Sequence, residues 1–159
     1  MSKTTAATVA LTKAGVAFVL APYDYDPSAD SIGMAAAAAV GVSPDRVLKT
    51  LMAEVDGKAV CVVVPSDHEV SMKKLAAAFG GKSAQMMKPD AAERLTGFKV
   101  GGISPFGQRK KVPTAIEETA LVYAEVLING GQRGLLLKLA PADAIKAADA
   151  KPAALVAEK

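Results

Sequence analysis

The sequence predicts one α+β or mixed α/β domain. Its 159 residues suit a single hydrophobic core. Short strand-like runs alternate with short helical segments, and some runs are joined by hairpin signals such as Asp56-Gly57. No repeat of fixed period and no linker divides the chain, so we expect a single domain over residues 1–159.

Residues that start and stop helices mark the helical segments. Thr, Ser or Pro stands at the start of most of them, and glycine follows several, which is the usual capping chemistry. The expected helices and turns cover residues 4–14, 34–40, 43–45, 71–79, 89–97 and 141–148, and a short C-terminal helix from Pro152. Residues 117–123 are ambiguous and are interpreted as one helical turn.

Apolar runs rich in β-branched residues and bounded by turn residues mark the strands. They are expected at residues 16–20, 47–52, 59–64, 83–86, 114–116, 125–128 and 134–139. The third run is apolar on both faces, which favours a central strand. In the second, residues two apart share a face, so Lys49 points the same way as Val47 and Leu51.

Composition excludes several classes of function. No apolar run approaches the ~18–20 residues that span a bilayer. The N-terminus lacks the apolar core of a signal peptide, so a cytoplasmic protein is expected. One cysteine and one histidine leave no internal disulfide and do not favour zinc. We expect no cofactor and no metal. A net charge of +3 permits contact with phosphates but does not require it.

The segment from Gly101 to Lys111 has the composition of a binding loop. Paired glycines expose backbone amides to close approach, and Pro105 fixes the chain after Ser104. A tight loop between strands explains the same composition equally well. Lys49 is the second candidate, because an ammonium on an apolar face pays for desolvation unless a ligand compensates. The alternative is a lysine at the sheet rim with its head in water.

No convincing nucleophile with an activating base is present. Ser104 has no evident base and is interpreted as a hydrogen-bonding residue. Cys61 lies in the most apolar run and is expected in the core, whereas a reactive thiolate needs an accessible, electropositive setting. His68 lies in a polar connection and is expected at the surface. The carboxylates show no spacing typical of an acid/base pair.

Three motifs together resemble a known family. They are Lys49-Thr50, the Gly101-Gly102-Ile103-Ser104-Pro105 loop with its basic tail, and Gly130-Gly131-Gln132-Arg133-Gly134. The chain resembles, over nearly its whole length, the YbaK group of aminoacyl-tRNA deacylases, which is related to the editing domain of bacterial prolyl-tRNA synthetases. The resemblance implies a mixed, partly barrel-like β-sheet surrounded by short helices.

The resemblance also implies a function and partners. Such proteins remove a wrong amino acid from tRNA in trans, because synthetases cannot exclude similar amino acids by binding alone. The best-known branch acts on Cys-tRNA(Pro), where the substrate's own thiol is thought to attack its carbonyl. The implied partners are the aminoacyl-tRNA acceptor end and prolyl-tRNA synthetase.

The implied site combines the motifs with neighbouring residues. Lys49 would anchor the acceptor end or polarise the ester, and the amides of Gly101 and Gly102 would hold the carbonyl oxygen. The substrate pocket would contain Tyr23, Ile32, Thr50, Ile103, Ser104, Pro105, Asn129 and Gly130. The tRNA phosphates would meet the basic run Arg109, Lys110 and Lys111.

Departures from the cysteine-specific pattern leave the amino acid open. Those proteins carry serine where this chain has Asn129, phenylalanine near Ile32, histidine near Tyr25 and a polar residue near Leu136. Another small amino acid is therefore a second hypothesis. A non-catalytic module that binds tRNA or a synthetase is a third, although the retained Lys49 and glycine loop argue against it.

Overall fold

The computed structural model describes residues 4–29 and 31–158 as a mixed β-sheet covered by helices. The ends of the predicted domain, residues 1 and 159, lie outside the described residues. The strands are β1 (Val19–Pro22), β2 (Val47–Val55), β3 (Lys58–Pro65), β4 (Ala84–Met86), β5 (Thr114–Glu117), β6 (Val126–Asn129), β7 (Leu135–Leu139) and β8 (Ala150–Ala153). The helices are α1 (Ala6–Lys13), α2 (Ile32–Val40), α3 (Met72–Ala78), α4 (Pro89–Thr96) and α5 (Pro141–Ala148), with 3-10 turns at Pro44–Arg46 and Glu118–Val122.

The predicted α+β class is confirmed. The strand order is β1-β7-β6-β2-β3-β5-β8, an open path on which β4 pairs with β2 as a side branch. Antiparallel pairs join β1 to β7, β6 to β7 and β2 to β3, whereas β2 with β6, β3 with β5, and β5 with β8 are parallel. No helix in the described part of the chain is both long and apolar enough to cross a membrane.

Strand β2 is shared between two partners along one of its edges. Its other edge pairs with β3 from Leu48 to Val55. Along the shared edge, β2 pairs with β6 only through Val47 and Leu48 and with β4 only through residues 53–55. Residues 49–52 therefore have a strand partner on one side only, which leaves a gap in the sheet.

Helices cover both faces of the sheet. Leu48 and Met52 of β2 belong to the large core cluster that includes residues of α1, α4 and α5. Ala53 and Val55 join a second cluster with α3, and Val47 joins a third with α2. The alternation along β2 thus sends successive side chains to different helices, as period-two geometry requires.

Two sequence predictions about elements need correction. The strand expected at residues 16–20 is β1, displaced to Val19–Pro22, because it takes its register from β7. The C-terminal helix expected from Pro152 is wrong, since Ala150–Ala153 forms the parallel edge strand β8. A proline lacks an N–H but is tolerated on an edge strand. By contrast, residues 117–123 do contain the predicted helical turn, after β5.

Candidate functional site

A cavity of about 330 Å³ lies where β2 parts from β6 and has not yet met β4. Six consecutive β2 residues, 47–52, line it together with parts of α2, α4 and the glycine loop. Most lining side chains are apolar, and the polar ones are Tyr23, Ser31, Lys49, Thr50, Ser66 and Asn129. No Asp, Glu, His or Cys of the described chain is among them.

Lys49 is the charged residue of this cavity. It is half-buried and follows Val47 and precedes Leu51 on the same strand face, as the alternation predicts. Within residues 4–29 and 31–158, no carboxylate or other acceptor engages its ammonium. A desolvated cation without a counter-ion is costly, so its position favours a ligand that carries or develops negative charge.

The Thr50 hydroxyl is a second polar group at the cavity that lacks a partner among the described residues. Its hydroxyl oxygen Oγ1 is buried and has no hydrogen-bond partner among the described residues. Buried polar atoms in folded proteins are nearly always paired. Since Thr50 lines the cavity, a bound molecule is the natural partner for this hydroxyl.

The two paired glycines differ in what they offer. Gly101 lines the cavity and has a φ of +90°, which favours glycine. None of the described residues accepts a hydrogen bond from its amide. Gly102 does not line the cavity, and its amide donates to Lys99 O at 2.7 Å. The geometry therefore supports the predicted oxyanion contact for Gly101 and does not support it for Gly102.

Gly102 is required by packing. A Cβ at this position would lie 2.8 Å from the backbone nitrogen of Arg133 and 3.0 Å from the carbonyl carbon of Gln132. Real Cβ atoms hardly ever approach backbone so closely. The glycine loop thus rests directly on the turn at residues 130–134, which explains why the two glycine motifs occur together.

Asn129 holds these two loops together. Its Nδ2 donates to Gly101 O at 3.0 Å, and its Oδ1 accepts from the Gly131 amide at 2.8 Å. Arg133 Nε adds a bond to Val100 O at 2.9 Å. Asn129 lines the cavity as predicted, but both ends of its amide are already used to position the glycine loop.

The other predicted pocket residues divide into two groups. Tyr23, Ile32 and Ile103 line the cavity, and burial raises the pKa of Tyr23. Ser104, Pro105 and Gly130 do not line it.

Ser104 and Gly130 are instead part of the frame behind the cavity. Ser104 is fully buried, and its Oγ accepts from the Phe106 amide at 3.2 Å. The carbonyl of Gly130 accepts from Thr5 Oγ1 at 2.5 Å, so the N-terminus of α1 braces the second glycine turn. These bonds indicate a structural contribution from both residues.

The basic run is tied to helix ends away from the cavity. Arg109 Nη1 donates to Arg94 O at 3.2 Å in the last turn of α4, and Lys111 Nζ donates to Ala148 O at 3.0 Å at the end of α5. Cations stabilise helix C-termini in this way. None of residues 109–111 lines the cavity, and Lys110 is exposed. It is the opposite end of α4, at Pro89, that reaches the cavity.

Two cations that sequence reasoning missed lie beside the cavity. Lys99 and Arg133 line a shallow depression with Phe98 and neighbouring residues, directly next to Val100 at the cavity wall. The Arg133 guanidinium lies 5.3 Å from the centre of the Tyr25 ring, a cation–π distance. The arginine inside the second glycine motif was the available signal.

Neither Cys61 nor His68 lines the cavity. Cys61 is fully buried, and desolvation raises the pKa of its thiol to about 12. His68 contacts Asp67 at 2.7 Å and does not line the cavity. Over the residues that the structure describes, no group of three or more His, Cys, Asp or Glu side chains could hold a metal ion.

Comparisons with known proteins identify a matching family and several relatives. Residues 26–147 match the family described as an aminoacyl-tRNA editing domain. EbsC of Enterococcus faecalis, named as a proposed Cys-tRNA(Pro)/Cys-tRNA(Cys) deacylase, is 35% identical over 122 residues, or 75% of this chain and 74% of EbsC. A proline–tRNA ligase of Geobacillus thermodenitrificans is 32% identical over 89 residues, which are 56% of this chain but only 15% of the ligase.

A solved structure shares the whole fold. The crystal structure of a proposed trans-editing enzyme for prolyl-tRNA synthetase superposes with a TM-score of 0.84 at 25% identity. The match covers 99% of this chain and 100% of that one. The overall fold is therefore found in another protein of this size.

Proposed function

Because this chain belongs to the aminoacyl-tRNA editing domain family, we propose that it removes mischarged amino acids from tRNA in trans, with Cys-tRNA(Pro) as its first substrate. One observation carries the proposal. The cavity presents an unpaired cation, Lys49, and a free backbone amide, Gly101, but no acidic, histidine or cysteine side chain of the described residues. Such a site can bind and polarise an ester without attacking it.

Lys49 and Gly101 are the proposed electrostatic groups. When an ester is attacked, negative charge develops on its carbonyl oxygen, and a preorganised donor stabilises that charge by ~2.7–4 kcal/mol. The Lys49 ammonium meets this charge or holds the terminal phosphate of the acceptor end. The Gly101 N–H shares a peptide plane with Val100 O, and Arg133 Nε donates to that oxygen at 2.9 Å. Asn129 holds the next peptide plane of the loop through the Gly101 carbonyl.

The substrate's own thiol is the proposed nucleophile. Its sulfur forms a bond to the carbonyl carbon, the ester C–O bond breaks, and the thiol proton passes to the departing ribose oxygen. A thiol of pKa ~8.5 supplies some thiolate near neutral pH, whereas a serine hydroxyl does not. The scarcity of candidate bases in the cavity supports this route over activation of water by the protein.

The cavity favours a small, uncharged amino acid. Its walls include Ile32, Met86 and Leu136, and no carboxylate from the described residues is present to meet a cationic side chain. The Asn129 amide is engaged at both ends, so it offers little to a polar side chain. Cysteine fits these properties, and alanine is the competing small substrate.

The acceptor strand and a synthetase are the proposed partners. The basic run Arg109, Lys110 and Lys111 stays a proposed phosphate contact, with Lys110 as its free side chain. Lys99 and Arg133 lie closer to the cavity wall and are better placed for the first phosphates beyond the ester. Similarity to part of a proline–tRNA ligase supports association with prolyl-tRNA synthetase, and such work would take place in the cytoplasm.

A panel of mischarged tRNAs offered to the purified protein tests the proposal. Cysteinyl-tRNA should be cleared rapidly and seryl-tRNA should persist. The two substrates differ only in that serine has a hydroxyl where cysteine has a thiol, and the hydroxyl does not ionise near neutral pH. Comparable clearance of both would rule out the thiol mechanism and retain the deacylase. Clearance of neither, or of any other ester in the panel, with tRNA still bound, would favour the non-catalytic module.

A further inference from the structure

We propose that the open edge of β2 at Thr50 binds the α-ammonium group of the aminoacyl ester. This inference rests on the proposed function and adds to it the recognition of the amino acid's backbone. It starts from the gap in the sheet, where residues 49–52 have a strand partner on one side only.

The backbone of Thr50 faces this gap. Met52 O accepts from the Met87 amide at 3.1 Å, beside β4, whereas Val47 O accepts from the Ser66 amide at 2.9 Å, beside β3. Alternate residues of a strand direct their N–H and C=O groups to the same side, so Thr50 points the way Met52 does. The β6 ladder ends at Leu48 and the β4 ladder begins at Ala53, so neither reaches Thr50.

The Thr50 side chain adds a second acceptor at the same place. Its buried Oγ1 has no partner in the described chain, and a hydroxyl carries two lone pairs. Thr50, a residue of the cavity wall, therefore has a carbonyl oxygen that faces the gap and a buried hydroxyl oxygen beside it, and neither has a partner among the described residues. An unmade bond at a buried polar atom is costly, which favours a ligand that supplies donors.

An α-ammonium group matches this demand. It is compact and positively charged, and its three N–H donors need acceptors. Two other polar side chains of the cavity already form hydrogen bonds within the protein. Asn129 Oδ1 accepts from the Gly131 amide, and the Ser66 hydroxyl donates to Val47 O at 2.5 Å. No carboxylate of the described residues lines the cavity.

Lys49 and Thr50 then contact different parts of the aminoacyl ester. Adjacent strand residues send their side chains to opposite faces, so the Lys49 ammonium and the Thr50 hydroxyl leave β2 in different directions. The Lys49 cation repels the α-ammonium and attracts the anionic end of the substrate. This opposition sets one orientation of the aminoacyl group, whatever side chain it carries.

Two hydrolysis-resistant ligands isolate the ammonium contact. They are 3′-alanylamino-3′-deoxyadenosine and 3′-propionylamino-3′-deoxyadenosine, which differ only by the amino group. Calorimetry near pH 6.5 should show at least about tenfold tighter binding of the alanyl compound to the wild type, as expected for a charge-assisted hydrogen bond. Thr50→Val should reduce this preference several-fold, and Thr50→Ser, which keeps the hydroxyl, should retain it.

A pH series on the wild type tests the same contact without mutation. The preference should shrink as pH rises past the amine pKa, ~7.7–8 for an α-amino group. Equal affinities for the two compounds, a preference that is constant from pH 6 to 10, or an equal loss for both in Thr50→Val would overturn the inference. Deacylation with equal affinities refutes this inference alone, whereas no binding and no deacylation refute the proposed function as well.

Discussion

Replacing Lys49 with methionine should abolish deacylation and leave the protein slightly more stable. The Lys49 ammonium is half-buried in an apolar cavity, and no described residue pairs with it. Methionine keeps an unbranched side chain of similar length and removes the charge. Residues selected for function commonly cost stability, and an unpaired cation in an apolar wall is one physical form of that cost.

The expected gain follows from the groups exchanged. The methionine side chain buries about one methylene equivalent more apolar surface than lysine, which stabilises the folded protein by ~0.8 kcal/mol. Removal of the partly desolvated charge of Lys49 adds to this stabilisation. We therefore expect about 1 kcal/mol, which for a chain of this size raises Tm by about 2–4 °C. The rate of deacylation should fall by ~10²–10³ or more, the loss found when an oxyanion donor is removed.

Thermal denaturation and a single-turnover assay on cysteinyl-tRNA measure the two effects. Lys58→Met, at an exposed position of β3, is the matched control and should change neither by much. Full activity of a folded Lys49→Met protein would remove Lys49 from the mechanism. A fall in Tm of several degrees would show that the ammonium has a stabilising partner, contrary to the reasoning.

Three further predictions concern the loop, the RNA contact and the C-terminus. Gly102→Ala should cost ~1–3 kcal/mol, because its Cβ meets Arg133 N at 2.8 Å; an unchanged Tm would mean that the loop shifts freely. Lys99→Ala should raise KM for aminoacyl-tRNA several-fold in ~0.1 M salt, and Lys110→Ala should raise it less, because Lys99 lies closer to the cavity wall; a larger effect of Lys110→Ala would make the basic run the main phosphate contact. Burial alone would raise the pKa of Glu117, but amide donors from Thr119, Leu155 and Val156 outweigh it and lower that pKa. Its contribution to stability is therefore complete above the unfolded pKa of ~4.3 and is lost as pH falls through the lower folded value. Glu117→Gln should flatten this acid limb in urea titrations, and an unaltered limb would assign it to other carboxylates.

Local patterns in the sequence were sufficient for most elements. Ser71 caps α3 as expected, and of the two threonines at the start of the predicted segment 4–14 it is Thr5 that caps α1. Such caps depend on residues only three or four positions away. The apolar run at residues 47–52 likewise predicted the strand that carries Lys49. Such features need no knowledge of distant parts of the chain.

Features that depend on distant partners were missed. Pro152 is typical of a helix start, yet its segment pairs with β5, and Glu117 on that strand accepts the Leu155 amide 38 positions away. The basic run looked free, but Lys111 donates to a carbonyl 37 positions away. Paired glycines also do not reveal which one faces a ligand, and here the neighbouring turn at residues 130–134 decides it for Gly102.

The stretch that matches the editing family's sequence pattern is shorter than the unit that folds. Similarity to the editing family runs from residue 26 to 147, which leaves out α1, β1, β8 and the cavity residue Tyr23. Yet Leu11 of α1 and Leu155 beyond β8 are fully enclosed in the interior. A fragment cut to residues 26–147 would lose β1 and β8, which pair with β7 and β5. The exposed edges of β7 and β5 would then promote aggregation. Excision of this module for transplantation should therefore keep its flanks.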